Sequence, residues 1–170
     1  MADADEPDRR ARRSSVLARA VALLSRREHS ALELRRKLIE RGFEPAEVDA
    51  ALQRLQGNGL QDDARFADAL ARSRANRGRG PLQLRAELAR HGLAEGLAAE
   101  AIERAESDQD WVSRALELAQ RRLRGANPKD PREQRRLADF LLRRGFPGTI
   151  VRSVLVRIGS DLELEEPGPP

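Results

Sequence analysis

Apolar residues recur along the chain at helical spacing, and no segment shows the strict apolar–polar alternation of a half-buried strand. The first such segment should place one apolar stripe against a core and keep its arginines elsewhere. The members of this stripe are Val16, Leu17, Ala20, Val21, Leu23 and Leu24. Ser14 or Ser15 is the expected N-cap. The pattern predicts an all-α protein.

A second helix follows at the stretch HSALEL, where Ser30 and Glu33 form a capping-box pattern. Gly42 should end this helix, because a residue without Cβ adopts the left-handed conformation easily. Pro45 then suits the first turn of a third helix. The expected inward positions of these two helices are Leu34, Leu38, Val48, Ala51, Leu52 and Leu55.

This arrangement occurs three times. The stretch 38–52 returns at 88–102 and 141–155, with offsets of 50 and 53 residues between the glycines. Each copy has a glycine followed by an apolar residue, which we interpret as a structural hinge between two helices. The hinge residues are Gly42, Phe43, Gly92, Leu93, Gly145 and Phe146. A period near 50 residues is typical of stacked supersecondary units.

We therefore predict three tandem three-helix repeats, at 14–58, 59–106 and 107–158, between a charged disordered tail at 1–13 and an acidic disordered tail at 159–170. The second repeat should contain helices at 63–76, 81–91 and 94–105. Asp108 should open the third repeat, whose later helices are expected at 132–144 and 148–158. The stretch RGRGP at 77–81 is interpreted as a flexible connector.

The charge distribution gives the chain a basic central region between two acidic ends. The 170 residues carry a net charge of +4, but eight carboxylates lie within residues 1–8 and 161–170, so residues 9–160 carry +12. All but two of the 32 basic residues are arginine. Such a distribution suits a polyanion or an acidic protein surface as partner.

The residue types of common active sites are scarce. The chain has no cysteine and only two histidines, His29 and His91, both expected in structural or solvent-facing roles. The stretch at 77–81 lacks the flanking strand and Lys-Ser/Thr of a phosphate loop. Asp62 and Asp63 are interpreted as helix caps; a metal-dependent nuclease using them is an alternative that predicts turnover abolished by chelation. We predict no enzyme activity, no catalytic residue, no metal and no cofactor.

Targeting signals are also missing from the sequence pattern. Residues 1–15 are polar, and no run approaches the ~18 apolar residues of a membrane span. We expect a cytoplasmic, monomeric protein without membrane contact.

The helix–turn–helix hinge raises the possibility of DNA reading, but the helix after the first hinge, PAEVDAALQRL, carries acidic residues where base readers use Arg, Asn or Gln. Arginines instead gather elsewhere. The main predicted contact residues are Arg72, Arg74, Arg77, Arg79 and Arg85, with Arg121, Arg122, Arg135 and Arg136 in the third repeat. The wider arginine set adds Arg65, Arg90, Arg114, Arg124, Arg143 and Arg144. The aromatic residues Phe43, Phe66, Phe140, Phe146 and Trp111 are assigned to the core.

The stretch GLQDDARFADALARSRANRGRGPLQLRAELARHGL (residues 59–93) closely resembles the signature of the RecX family of bacterial recombinase regulators, and the resemblance extends over about residues 15–158. It implies an elongated, curved array of three three-helix repeats without catalytic residues. It also implies binding to the RecA filament, in its groove or at its growing end. Such binding depresses RecA ATPase, strand exchange and coprotease activity, and so regulates DNA repair, recombination and the SOS response. The alternative is a sequence-independent protein that acts by occupying single- or double-stranded DNA.

Overall fold

The computed structural model describes residues 16–124, 127 and 129–161, with side chains described through residue 159. These residues form nine helices and no strand. The helices are α1 (16–24), α2 (Ala31–Ile39), α3 (Pro45–Gly57), α4 (Asp63–Asn76), α5 (Pro81–Arg90), α6 (Glu95–Asp108), α7 (Trp111–Arg122), α8 (Pro131–Arg143) and α9 (Gly148–Asp161). The expected caps Ser14 and Ser15, and the segments 1–13 and 162–170, lie outside the described residues.

Capping side chains set several helix starts. Ser30 Oγ accepts a hydrogen bond from the Glu33 amide at 3.1 Å, as predicted. Asp110 Oδ1 accepts from the amides of Val112 and Ser113, and this cap starts α7. Helix α6 runs to Asp108, where the third repeat is expected to begin, three residues past its predicted end at 105. Helix α9 likewise continues three residues past its predicted end at 158.

The described chain forms two compact units whose dividing lines fall within α4, α5 and α6. Unit 1 holds the residues up to Ala69 together with Leu88–Ala98. Its core is built by α1, α2 and α3, and all six predicted inward positions of α2 and α3 are buried. In α1, Val16 and Ala20 are buried, whereas Val21 is 43% exposed, so the predicted stripe there was too wide.

Unit 2 holds Leu70–Glu87 and the described residues from Ala99 onward. Helix α9 packs against both α7 and α8. The Trp111 and Phe146 rings meet edge-on, with centroids 6.5 Å apart, in a core where both residues are buried as predicted. The other buried residues of these helices are Ala115, Ala119, Leu137, Leu141, Val151, Val154 and Ile158.

The glycines of the three predicted hinges share one backbone conformation. The φ angles of Gly42, Gly92 and Gly145 are 86°, 77° and 86°, all in the left-handed region. After each glycine, the amide of the apolar residue donates to a carbonyl five residues earlier, at 3.1–3.3 Å. These amides belong to Phe43, Leu93 and Phe146. Each hinge thus ends one helix and sets the direction of the next helix.

Candidate interaction surface

The third hinge is covered, within unit 2, by the segment that links α4 to α5. The Gly80 amide donates to the Arg144 carbonyl at 2.7 Å, and the Leu82 amide donates to the Gly145 carbonyl at 3.0 Å. A Cβ on Gly80 would lie 2.5 Å from the Gly145 carbonyl carbon, so only glycine permits this approach. The interpretation of RGRGP as a flexible connector is therefore wrong, because its backbone is fastened to the hinge.

This fastening forms a groove of about 430 Å³ with a strongly basic lining. Four arginines and one carboxylate line it: Arg77, Arg114, Arg121, Arg144 and Glu117. We call it the arginine groove. Its remaining lining residues are Ala75, Asn76, Gly78, Gln109 and Leu118.

Arg114 supplies the buried charge of the arginine groove and was expected on the surface instead. Only 7% of it is exposed. Its guanidinium donates to the carbonyls of Gln109 and Ala105 and to Asn76 Oδ1, at 3.0–3.2 Å. Because these acceptors are neutral, they satisfy the N–H groups without cancelling the positive charge. Arg114 therefore ties α7 to its neighbours and makes the groove more positive.

Two arginines stack on Phe140, a residue that the sequence assigns to the core. The Arg122 and Arg144 guanidinium carbons lie 4.8 and 5.1 Å from the ring centroid. Arg144 also donates to the Arg77 carbonyl at 3.1 Å. Phe140 thus holds two cations in place at one edge of the groove. Arg144 is absent from the nine main predictions and belongs only to the wider arginine set.

At least four of the nine predicted contact arginines form ion pairs within the described chain. Arg74 is the most enclosed of them: its guanidinium reaches Glu87 at 2.8 Å, and the hydrogen bond that Arg74 donates to Glu87 raises the pKa of Arg74. The other pairs are exposed on the arginine side: Arg72–Asp108 at 3.3 Å, Arg121–Glu117 at 2.9 Å and Arg136–Glu133 at 2.6 Å. Such pairs contribute little to stability and can exchange partners.

The other predicted arginines differ in their surroundings. The structure brings Arg77 and Arg121 together in the arginine groove and places Arg122 on Phe140 beside it. Arg79 donates to Gln83 Oε1 at 2.8 Å. Arg79, Arg85 and Arg135 are exposed and do not line the groove.

The histidines and the paired aspartates have structural contacts in unit 1. His29 is buried, with Nδ1 3.2 Å from Glu33 Oε2, and burial lowers the pKa of His29. His91 packs on Phe66 with ring centroids 4.9 Å apart. Asp62 caps α4 by accepting from the amides of residues 64 and 65. Asp63 accepts from the Ala31 amide at 2.8 Å and so caps α2.

Glu33 lies at the centre of a buried charge cluster. Although burial by itself would raise the pKa of Glu33, hydrogen bonds from Arg27 and Lys37 lower it to about 2. This cluster stabilises the start of α2. Within the described residues, no group of three or more His, Asp or Glu side chains is placed to hold a metal ion. None of the helices described here is both long and apolar enough to cross a bilayer.

Comparison with protein-family models matches this chain in three consecutive segments. Residues 17–55 match the first three-helix domain of RecX, residues 62–102 the second and residues 108–155 the third.

Curated relatives agree with these matches. The regulatory protein RecX of Xanthomonas campestris pv. campestris (strain B100) is 46% identical over 89% of this chain and 92% of its own length. That of Stenotrophomonas maltophilia (strain K279a) is 46% identical over 85% and 87%. All these relatives are named as regulatory proteins, in agreement with the predicted non-enzymatic role.

Solved structures share the fold. The crystal structure of RecX from Lactobacillus salivarius superposes with a TM-score of 0.76 at 20% identity, covering 88% of this chain and 97% of that one. A second crystal structure, of a regulatory protein RecX, gives a TM-score of 0.74 at 22% identity, with coverages of 86% and 73%. These similarities confirm the predicted all-α architecture of three tandem three-helix domains.

Proposed function

This chain belongs to the RecX family of regulatory proteins, and on that premise we propose that it binds the RecA recombinase filament and lowers its ATPase, strand-exchange and coprotease activities. The observation that carries the proposal is the presence of all three RecX domains in order between residues 17 and 155. Through RecA, the protein regulates DNA repair, recombination and the SOS response. It acts in the cytoplasm as a monomer.

The arginine groove and the Arg122–Phe140–Arg144 stack are the proposed contact surface. Guanidinium groups bind carboxylates through paired hydrogen bonds, so this surface suits acidic side chains of the filament. Because Phe140 already holds the guanidinium groups of Arg122 and Arg144, and the Arg77 carbonyl also binds Arg144, less side-chain freedom is lost on binding.

The other predicted arginines have secondary roles in this proposal. Arg72 and Arg136 are themselves exposed and can leave their partners when a competing carboxylate arrives. Arg79, Arg85 and Arg135 extend the positive surface. Arg74 acts mainly as a brace between α4 and α5, because Glu87 already engages its guanidinium.

The test is the single-stranded-DNA-dependent ATPase rate of RecA titrated with this protein, using both pre-formed and assembling filaments. The variant Arg77→Ala/Arg121→Ala/Arg122→Ala should require about tenfold more protein for half-inhibition, since a loss of ~1.4 kcal/mol is one factor of ten. Stronger inhibition of assembling filaments than of pre-formed ones would indicate capping of the growing end.

A matched control is available in unit 1. Arg26→Ala/Arg36→Ala/Arg54→Ala removes the same charge from exposed positions, and Arg36 has an i,i+4 glutamate partner as Arg121 does. The control should inhibit like the unchanged protein, and both variants should keep their circular dichroism. Equal losses in the two variants would show that net charge matters and the groove does not.

The basic groove also favours a second candidate, sequence-independent binding to single- or double-stranded DNA. A protein that acts this way inhibits by occupying the strand, and its affinity falls with a log–log salt slope of about −0.9 per phosphate contacted on duplex DNA. Fluorescence anisotropy on bare DNA over a salt series tests this directly. Inhibition that disappears at the same salt concentration as bare-DNA binding would favour the DNA candidate over filament contact.

A further inference from the structure

The hinges of the second and third repeats are both covered by the first turn of a preceding repeat's second helix. In unit 1, a Cβ on Gly92 would lie 2.9 Å from Leu32 Cδ2, in the first turn of α2. In unit 2, a Cβ on Gly145 would lie 2.6 Å from the Gln83 amide nitrogen, in the first turn of α5. Leu32 and Leu82 each precede the glycine of their own repeat by ten residues. In both units the first turn of a second helix therefore lies against a hinge glycine, through the Leu32 side chain in unit 1 and through Gln83 in unit 2.

The first hinge has no such cover among the described residues. A Cβ on Gly42 would meet no atom within 4 Å. An open, mainly apolar pocket of about 580 Å³ lies at this hinge, lined by Ala18, Arg19, Ala22, Arg41 and Phe43. Phe43 stays partly exposed, whereas Phe146 at the third hinge is fully buried. We call this cavity the hinge pocket.

We propose that the hinge pocket receives the first turn of an α-helix of a RecA protomer, with one aliphatic side chain inserted and an acidic residue beside it. The aliphatic side chain follows from Leu32, which covers the second hinge and is still half exposed. The acidic neighbour follows from Arg19 and Arg41 in the pocket lining, and acidic residues are favoured in the first turn of a helix. The identity of the partner rests on the proposed function.

Charge argues against a second copy of this chain as the occupant. In the third repeat, the position ten residues before the hinge glycine is Arg135, not leucine, with Arg132 and Arg136 close by in sequence. Docking this segment would bring three arginines, only partly offset by Glu133, against Arg19 and Arg41. The N-terminal stretch 1–15 also fits poorly, because it is polar and charged and has no Leu, Ile or Val.

Ala22→Glu tests the proposal, because a carboxylate in the apolar lining opposes an aliphatic side chain and repels its acidic neighbour. Co-sedimentation with RecA filaments on single-stranded DNA should show at least about tenfold weaker binding for this variant. Ala50→Glu is the control: the same change at an exposed position on α3, also in unit 1. It should bind like the unchanged protein.

A direct measurement of occupancy uses Ala22→Cys, which carries the only thiol because the chain has no cysteine. The emission maximum of an environment-sensitive dye on this cysteine should shift to shorter wavelength when filaments are added. The emission of the same dye on Ala50→Cys should stay unchanged.

The outcomes separate this proposal from the proposed function. Equal binding by Ala22→Glu and the unchanged protein overturns the hinge-pocket proposal alone. Failure of the unchanged protein to bind filaments overturns both. A dye shift that grows with protein concentration without RecA identifies a second copy as the occupant, and one that disappears on deletion of residues 1–13 identifies the chain's own N-terminus. Either result overturns the assignment to RecA.

Discussion

The two units fasten the first turn of a second helix in different ways. In unit 1, side chains hold α2: Asp63 accepts from the Ala31 amide, and Gln61 donates to the His29 carbonyl at 3.2 Å. In unit 2, the backbone of residues 80 and 82 binds the carbonyls of the third hinge directly. The first turn of the second helix is thus held by side chains in unit 1, the side-chain joint, where truncating a side chain should weaken it, and by the backbone in unit 2, the backbone joint, where an added Cβ should disturb it.

The largest effect is expected at the backbone joint, from Gly145→Ala. The new Cβ would lie 2.6 Å from the Gln83 amide nitrogen, and the residue would keep a φ of +86°. Overpacking and left-handed strain together should lower the free energy of unfolding by at least about 3 kcal/mol. Chemical denaturation monitored by circular dichroism measures this value. Gly148→Ala is the control, since its Cβ would meet nothing within 4 Å; a similar loss in both variants would contradict the backbone-joint argument.

Acid should have the next largest effect, on the charge cluster of Glu33 at the start of α2. The pKa of Glu33 is about 2 in the folded chain and near 4.5 when unperturbed, so its contribution is complete above about pH 5 and is lost as the pH falls through 2. The lowered pKa of buried His29 acts in the same direction, because the unfolded chain binds its proton first.

The measurement is the difference in unfolding free energy between the unchanged chain and Glu33→Gln, followed from pH 6 to pH 2. The difference should shrink by roughly 2–3 kcal/mol over this range. A difference independent of pH would show that Glu33 contributes by its shape and hydrogen bonds and not by its charge.

A smaller effect is expected from Gly42→Ala at the uncovered first hinge. The φ of +86° remains unfavourable for alanine, but the new Cβ meets no neighbour, so only the strain of about 1–2 kcal/mol applies. Comparing the melting temperatures of Gly42→Ala and Gly145→Ala isolates the stability that is lost because a Cβ at residue 145 lies too close to Gln83. Equal melting temperatures in the two variants would mean that the third hinge can move away from Gln83.

Much of this architecture follows from the sequence, because repeated local signals act through the helix itself. The glycine hinges, Ser30 and the inward leucines of α2 and α3 each depend on neighbours within a few residues, and all were predicted. The burial of Arg114 could not be predicted in this way. Its partner Asn76 lies 38 residues earlier in the chain, and nothing in the local pattern separates this arginine from exposed ones.

The candidate interaction surface also depends on contacts between distant residues, which the sequence alone does not predict. The sequence identifies an arginine-rich region but not which arginines meet: Arg77 and Arg144 are 67 residues apart and come together only because the linker binds the third hinge. The stacking of Arg122 and Arg144 on Phe140 likewise requires the packed arrangement of α7 and α8. By contrast, the ion pair of Arg121 with Glu117 follows from i,i+4 spacing alone.

The smallest effect should come from Asp63→Ala, which leaves the Ala31 amide and Gln61 Nε2 without their shared acceptor. Loss of a cap of this kind costs about 1 kcal/mol. Asp63→Asn keeps an oxygen that can accept both bonds, so most of the stability should return, apart from the few tenths of a kcal/mol that a negative charge contributes at a helix start. Urea denaturation of both variants measures the two costs. If Asn proves as damaging as Ala, the side-chain joint depends on charge, and the difference in stability between the unchanged chain and Asp63→Asn should then shrink with added salt.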